Sequence, residues 1–187
     1  MNKVKLGISN RHAHLTREHI DKLFGKSYSL NVKKYLMDKE NFAAEETVIL
    51  KKGDFQIENV RIIGPERLRT QIEILESDQK YLDIESSRRD SGDLKETPGL
   101  TIIGPKGTVE LCEGVILART HIHLIEEEAR KLGLINKKKV KLMHPKKGLI
   151  CDDATLCIIK DGSSQIHMDK EEAKKFDLGN DEELIIS

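Results

Sequence analysis

Tryptophan is absent from this 187-residue chain, and aromatic residues make up only 4% of it. Few rings are available to stack bases on. The 32 Lys and Arg residues are matched by 32 Asp and Glu, so no net positive field draws in nucleic acid. Long apolar stretches are also missing. Runs such as Val115–Ala118 span a handful of residues, whereas a membrane-spanning helix needs about 20. No nucleic-acid partner and no membrane are therefore expected. Met1 leads directly into a strand-like segment with no signal-type apolar stretch, so the expected location is cytoplasmic. Cysteine is scarce: Cys112, Cys151 and Cys157 are odd in number and form no CxxC pair. That points to a reducing compartment, away from a disulfide scaffold and away from a thiolate zinc cluster.

The 37% of apolar residues is enough for a core, and the length suits one domain or two small ones. The pattern is of many short strands. They are expected at 3–9, 46–51, 56–63, 70–76, 100–103, 107–112, 114–120, 138–143, 147–151, 154–160 and 183–186. Short helices are expected at 16–24, with Thr16 as N-cap and Gly25 as stop, at 125–132 and at 169–176. Residues 26–40 read ambiguously, and 85–99 read as a long loop of the kind that often carries function. Strands this short and this many suit barrels or sandwiches rather than a doubly wound parallel sheet.

The chain repeats itself. Arg11-His12-Ala13-His14-Leu15 lies over Thr120-His121-Ile122-His123-Leu124 at an offset of 109, each after a strand-like run and before a short helix. The stretch from His123 lies over the stretch from His167 at an offset of 44, matching Glu127 with Glu171, Glu128 with Glu172 and Ala129 with Ala173. Ile62-Ile63-Gly64-Pro65 echoes Ile102-Ile103-Gly104-Pro105. One unit of strand, histidine and capping helix thus recurs. The fold class expected is mainly β with short capping helices, arranged as two related small β-barrels born of duplication.

On a strand, residues i and i+2 face the same way. His12 and His14 therefore project together, as do His121 and His123, and each pair is poised to converge on a metal. Imidazole and carboxylate donors without thiolate suit Zn²⁺, Co²⁺, Fe²⁺ or Ni²⁺. His19 and His144 lack such a partner and read as surface or helix residues. The turn from Gly64 to Glu73 holds Arg67 and Arg69, planar cations suited to phosphate, and Glu73, a hard oxygen donor. Solvated turn charges are the plainer reading of that segment taken alone. HxH on strands also occurs in cupins and metal-dependent hydrolases, so the motif names a metal and leaves the reaction open. Three readings follow: a two-metal enzyme, a single-metal cupin-like enzyme, and a non-catalytic metal-binding barrel module for a nucleotide-like ligand.

The segments taken together resemble the PduL-type phosphate acyltransferases. The matching stretches are Gly7–Leu15, Phe42–Glu45, Asn59–Pro65, Arg67–Glu73, Arg89–Asp93, Thr97–Gly99, Glu113–Val115, Ala118–His123 and Ile166-His167. The resemblance implies an enzyme that interconverts short-chain acyl-CoA (acetyl-CoA or propanoyl-CoA) plus phosphate and acyl phosphate plus coenzyme A. It implies two zinc ions per chain, one on His12 and His14 and one on His121, His123, His167 and Glu73. Arg67 would bind phosphate beside the catalytic His12 and His14, and Ile8, Ser9, Asn10 and Arg61 would line the coenzyme A site. It further implies a discontinuous domain of 1–10 with 118–187, a second of 11–117 with a small insert near 25–40, and leaves a homodimer open. Asp54 stands where the family carries a lysine that contacts coenzyme A, Thr120 where it carries an arginine, and Lys174 where it carries an asparagine. The amphipathic N-terminal extension of the microcompartment members is not expected here.

Overall fold

A computed structural model describes residues 3–36 and 41–187. In chain order the elements are β1 (Lys3–Ser9), β2 (His12–His14), α1 (Arg17–Phe24), β3 (Val32–Tyr35), β4 (Phe42–Lys52), β5 (Phe55–Gly64) and β6 (Gln71–Ile74). Next come α2 (Glu76–Tyr81), β7 (Arg88–Arg89), β8 (Thr101–Ile103), β9 (Thr108–Glu110), β10 (Val115–Ala118) and β11 (His121–Ile125). The last are α3 (Glu126–Lys131), β12 (Lys139–His144), β13 (Gly148–Ile159), β14 (Gln165–Asp169), α4 (Lys170–Lys175) and β15 (Glu183–Ile186). The protein is mainly β with short helices, as its sequence pattern indicates.

The chain divides into two compact units, one comprising the N-terminal stretch through Asn10 with Arg119–Ser187, the other Arg11–Ala118. In the first, β1-β14-β11-β13-β12-β15 close into a six-stranded barrel. Its strands alternate as a half-buried sheet demands. Lys3 and Lys5 face water while Val4 and Leu6 are buried, and β12 repeats the pattern with Val140 and Leu142 inside. Ile122, Leu124, Ile166, Leu184 and Ile186 complete the core, and α3 and α4 add Ala129 and Ala173. The Asp169 carboxylate accepts from the Glu171 and Glu172 N–H groups and so starts α4.

In the second unit the order is β7-β10-β6-β2-β5-β4-β8-β9, with β3 on the flank of β4, a curled sheet that does not close. Its core joins Leu50, Val60, Ile62, Ile72, Leu100, Ile102 and Val115 to Ile20 and Leu23 of α1. Thr16 caps α1 by accepting from the His19 N–H. Gly99 lies where a Cβ would fall 1.8 Å from the Leu111 carbonyl oxygen, so only glycine fits that close approach. Of the insert expected near 25–40, the described part supplies β3; residues 37–40 lie outside the described residues.

The repeat is visible in the pairing. β2 lies between parallel β5 and antiparallel β6, and β11 lies between parallel β13 and antiparallel β14. The strand ahead of each HxH segment pairs within its own unit: β1 runs parallel to β14 in the first, and β10 runs parallel to β6 in the second. Two local expectations change. The segments 147–151 and 154–160 are one strand, because Asp152 and Asp153 are exposed on a continuous β13 rather than forming a turn. Residues 76–81 form the helix α2, which the strand expected over 70–76 overlaps; the buried Asp78 carboxylate accepts from the Leu75 N–H at its start.

Candidate metal centres

The second unit brings together His12 and His14 from β2 and Glu73 from β6. His12 stands opposite Glu73 in the antiparallel register, so its partner across the strand is a carboxylate. His12 Nε2 is 3.3 Å from Glu73 Oε2, and His14 Nε2 is 3.8 Å from Oε1. The two imidazoles sit 4.9 Å apart at 84° to each other. His14 Nδ1 lies 3.2 Å from the Ile63 carbonyl oxygen, and a neutral ring donates its Nδ1–H there. That leaves the Nε2 lone pair for a ligand. Burial pushes the His14 pKa down to about 3, helped by the neighbouring His12 and, less strongly, by Arg67. The ring is therefore neutral near pH 7, the form that binds metal.

In the first unit, His121 and His123 of β11 meet His167 of β14. His121 stands opposite His167, the same register position that Glu73 holds against His12. The rings are 4.9–5.2 Å apart, with His121 and His167 nearly parallel. His121 Nδ1 is 3.0 Å from the Arg119 carbonyl oxygen, which again leaves Nε2 for a ligand. In each trio the donor atoms lie within 4.8 Å of one another. Three nitrogens, or two nitrogens and a carboxylate oxygen, with no thiolate, fit Zn²⁺ or another borderline divalent ion and leave a coordination position open.

Glu73 is thus grouped with His12 and His14, whereas the sequence expectation set it with His121, His123 and His167. The reason is strand pairing: β6 is the partner of β2, and β14 is the partner of β11. The signal was present in the sequence. Gln71-Ile72-Glu73-Ile74 aligns with Gln165-Ile166-His167-Met168, so Glu73 is the repeat counterpart of His167. Grouped by distance, the candidate donors stand three and three, where the expectation divided the ligands two and four.

The two arginines of the Gly64–Glu73 segment have different surroundings. Arg69 and Arg67 differ by two residues, yet Arg69 forms an exposed 2.6 Å ion pair with Glu113. Arg67 is half-buried, its N–H donates to the Leu15 carbonyl, and its Nη1 is 3.4 Å from Ser91 Oγ. Arg61 on β5 donates to the Ala44 and Glu45 carbonyls. On β1, the Ile8 N–H donates to Asn180 Oδ1 and the Ser9 hydroxyl to the Met168 carbonyl; Asn10 is exposed. His19 lies on the helix α1, in line with its reading as a surface or helix residue, with Nδ1 2.7 Å from Thr70 Oγ1. His144 Nε2 lies 3.3 Å from Glu182. Sequence reasoning gave no role to Gln71 or Ser91, uncharged residues without a spacing motif; Gln71 contacts Glu73, and Ser91 contacts both Gln71 and Arg67.

Comparison with known proteins places this geometry in context. The sequence model of one protein family, described as phosphate propanoyltransferase, matches residues 5–179. The chain is 41% identical to the phosphate propanoyltransferase of Thermotoga maritima over 170 residues, covering 90% of this chain and 81% of the relative. It is 41% identical to that of Rhodopseudomonas palustris, over 96% of this chain and 80% of the relative. With the Rhodobacter capsulatus protein of the same name it shares 40% over 95% of this chain and 83% of the relative.

Proposed function

The chain belongs to the phosphate propanoyltransferase family and is an acyltransferase, and from that premise we propose how its own residues carry the reaction. It interconverts short-chain acyl-CoA, acetyl or propanoyl, plus phosphate and acyl phosphate plus coenzyme A. The observation that carries the reading is the His12–His14–Glu73 trio with Arg67 close enough for its charge to bear on His14.

A phosphate oxygen attacks the thioester carbonyl carbon, the carbon–sulfur bond breaks, and coenzyme A leaves as thiolate. Arg67 grips the phosphate with a planar, permanently charged fork, and charge-assisted hydrogen bonds of that kind are short and strong. His12, His14 and Glu73 hold one zinc, and His121, His123 and His167 hold a second. Bound there, zinc supplies a Lewis acid that polarises a carbonyl and stabilises a developing thiolate. Arg67 fixes the nucleophile's direction of attack, and orientation of two bound substrates contributes a large share of such accelerations. The same reading gives coenzyme A to Ile8, Ser9, Asn10 and Arg61. Two trios with open positions support an enzyme over a binding module with closed sites, and their number supports two metals over one.

Elemental analysis of protein purified without chelator should give about two zinc ions per chain, and one fewer in Glu73→Ala. A value of one in the wild type would favour the single-metal alternative, and none would remove the metal chemistry altogether.

A further inference from the structure

Gln71 lies two residues before Glu73 on β6, so both side chains leave the same face of the strand. It stands opposite His14 and is 2% exposed. Its Nε2 donates to Glu73 Oε1 at 2.7 Å and to Ser91 Oγ at 3.0 Å. Its Oε1 accepts from the Gly92 N–H at 2.8 Å. Both amide hydrogens and the carbonyl oxygen are engaged, and turning the amide over would set its oxygen against the carboxylate. The orientation is therefore fixed by its partners. Ser91 in turn is 3.4 Å from Arg67 Nη1.

We propose that Gln71 is a positioning residue. It holds the Glu73 carboxylate toward His12 and His14 and, by tethering Ser91 and Gly92, sets the Arg67 guanidinium. The inference rests on the reading that the His12–His14–Glu73 trio holds zinc and Arg67 binds phosphate. The repeat copy has different surroundings. Gln165 holds the equivalent position opposite His123, yet its amide lies against Gly7, where a Cβ would come within 2.6 Å of Nε2. The residue two positions on is a histidine, which offers no carboxylate to orient. Partners that orient a ligand commonly matter by 10–100-fold in metal affinity or activity.

The test uses whole, chelator-stripped protein titrated with zinc against a chromophoric competitor, with steady-state kinetics alongside. Gln71→Met keeps the length and removes the hydrogen bonds. It should weaken zinc binding about 10–100-fold in the binding event that His12→Ala abolishes, while the event lost in His121→Ala stays unchanged. Ser91→Ala removes the contact to Arg67 and one partner of Gln71 but keeps the Gln71–Glu73 bond, so it should raise the KM for phosphate several-fold, weaken zinc binding at the His12 site less than Gln71→Met does, and leave the His121 event and the KM for acyl-CoA alone. Wild-type affinity in Gln71→Met overturns the proposal, as does an unchanged phosphate KM in Ser91→Ala. The Ser91 result decides the matter if Gln71→Met does not fold. Failure of the wild type itself to bind zinc at the His12 site would overturn the underlying reading and this inference together, whereas normal wild-type binding with an unaffected Gln71→Met sinks only the inference.

Discussion

His12→Ala should lower kcat by about 10³-fold or more while the melting temperature of the chelator-stripped protein stays close to that of stripped wild type. The size follows from losing a donor that places a metal where charge develops; loss of one such electrostatic element costs roughly 10²–10³-fold even when only a single hydrogen-bond donor is removed. The small stability cost follows from the location. His12 is only partly buried on the three-residue strand β2, and the apolar packing at that point belongs to Ala13 and Leu15. Activity assays beside thermal melts separate the two quantities. A stripped His12→Ala protein that melts well below stripped wild type would mean that this side chain is a packing element first.

Arg67→Ala should raise the KM for phosphate roughly tenfold to a hundredfold and change the KM for acyl-CoA little. Losing a hydrogen bond to a charged group typically costs about 1.5–3 kcal/mol. Arg69→Ala serves as the control: its guanidinium is spent on an exposed pair with Glu113, and exposed pairs contribute little. Initial-rate kinetics with each substrate varied in turn gives the comparison. Equal effects on both substrates, or none, would place phosphate elsewhere.

Much of the fold was legible because the strands obey a period of two and the helices carry local start and stop signals. Thr16 caps α1 and Gly25 ends it, as their chemistry dictates. The HxH pairs announced themselves by spacing alone. Glu73 was legible as an oxygen donor, but its grouping with His12 and His14 follows from sheet pairing between segments some 60 residues apart, which spacing alone does not encode and only the alignment with His167 signals. Each trio offers three candidate donors, a count that by itself assigns neither site to structure or to catalysis. The helix α2 was hidden for a different reason. Its residues are mostly polar, and it is held by the buried Asp78, which accepts from Leu75 and pairs with Arg11, a contact set by tertiary structure. The segment 85–99, expected as a long loop, holds only the two-residue β7, and its Ser91 and Gly92 meet Gln71, a contact that no local pattern announces.

The most direct measurement is thiol release from propanoyl-CoA by chelator-stripped protein, with phosphate and zinc added separately and together, and acyl phosphate trapped as its hydroxamate. Release should require both additions, saturate with phosphate, and yield hydroxamate in equal amount to thiol. Thiol release without phosphate would contradict the account by making water the nucleophile, and full activity in the stripped protein without zinc would contradict it by taking the metal trios out of the reaction.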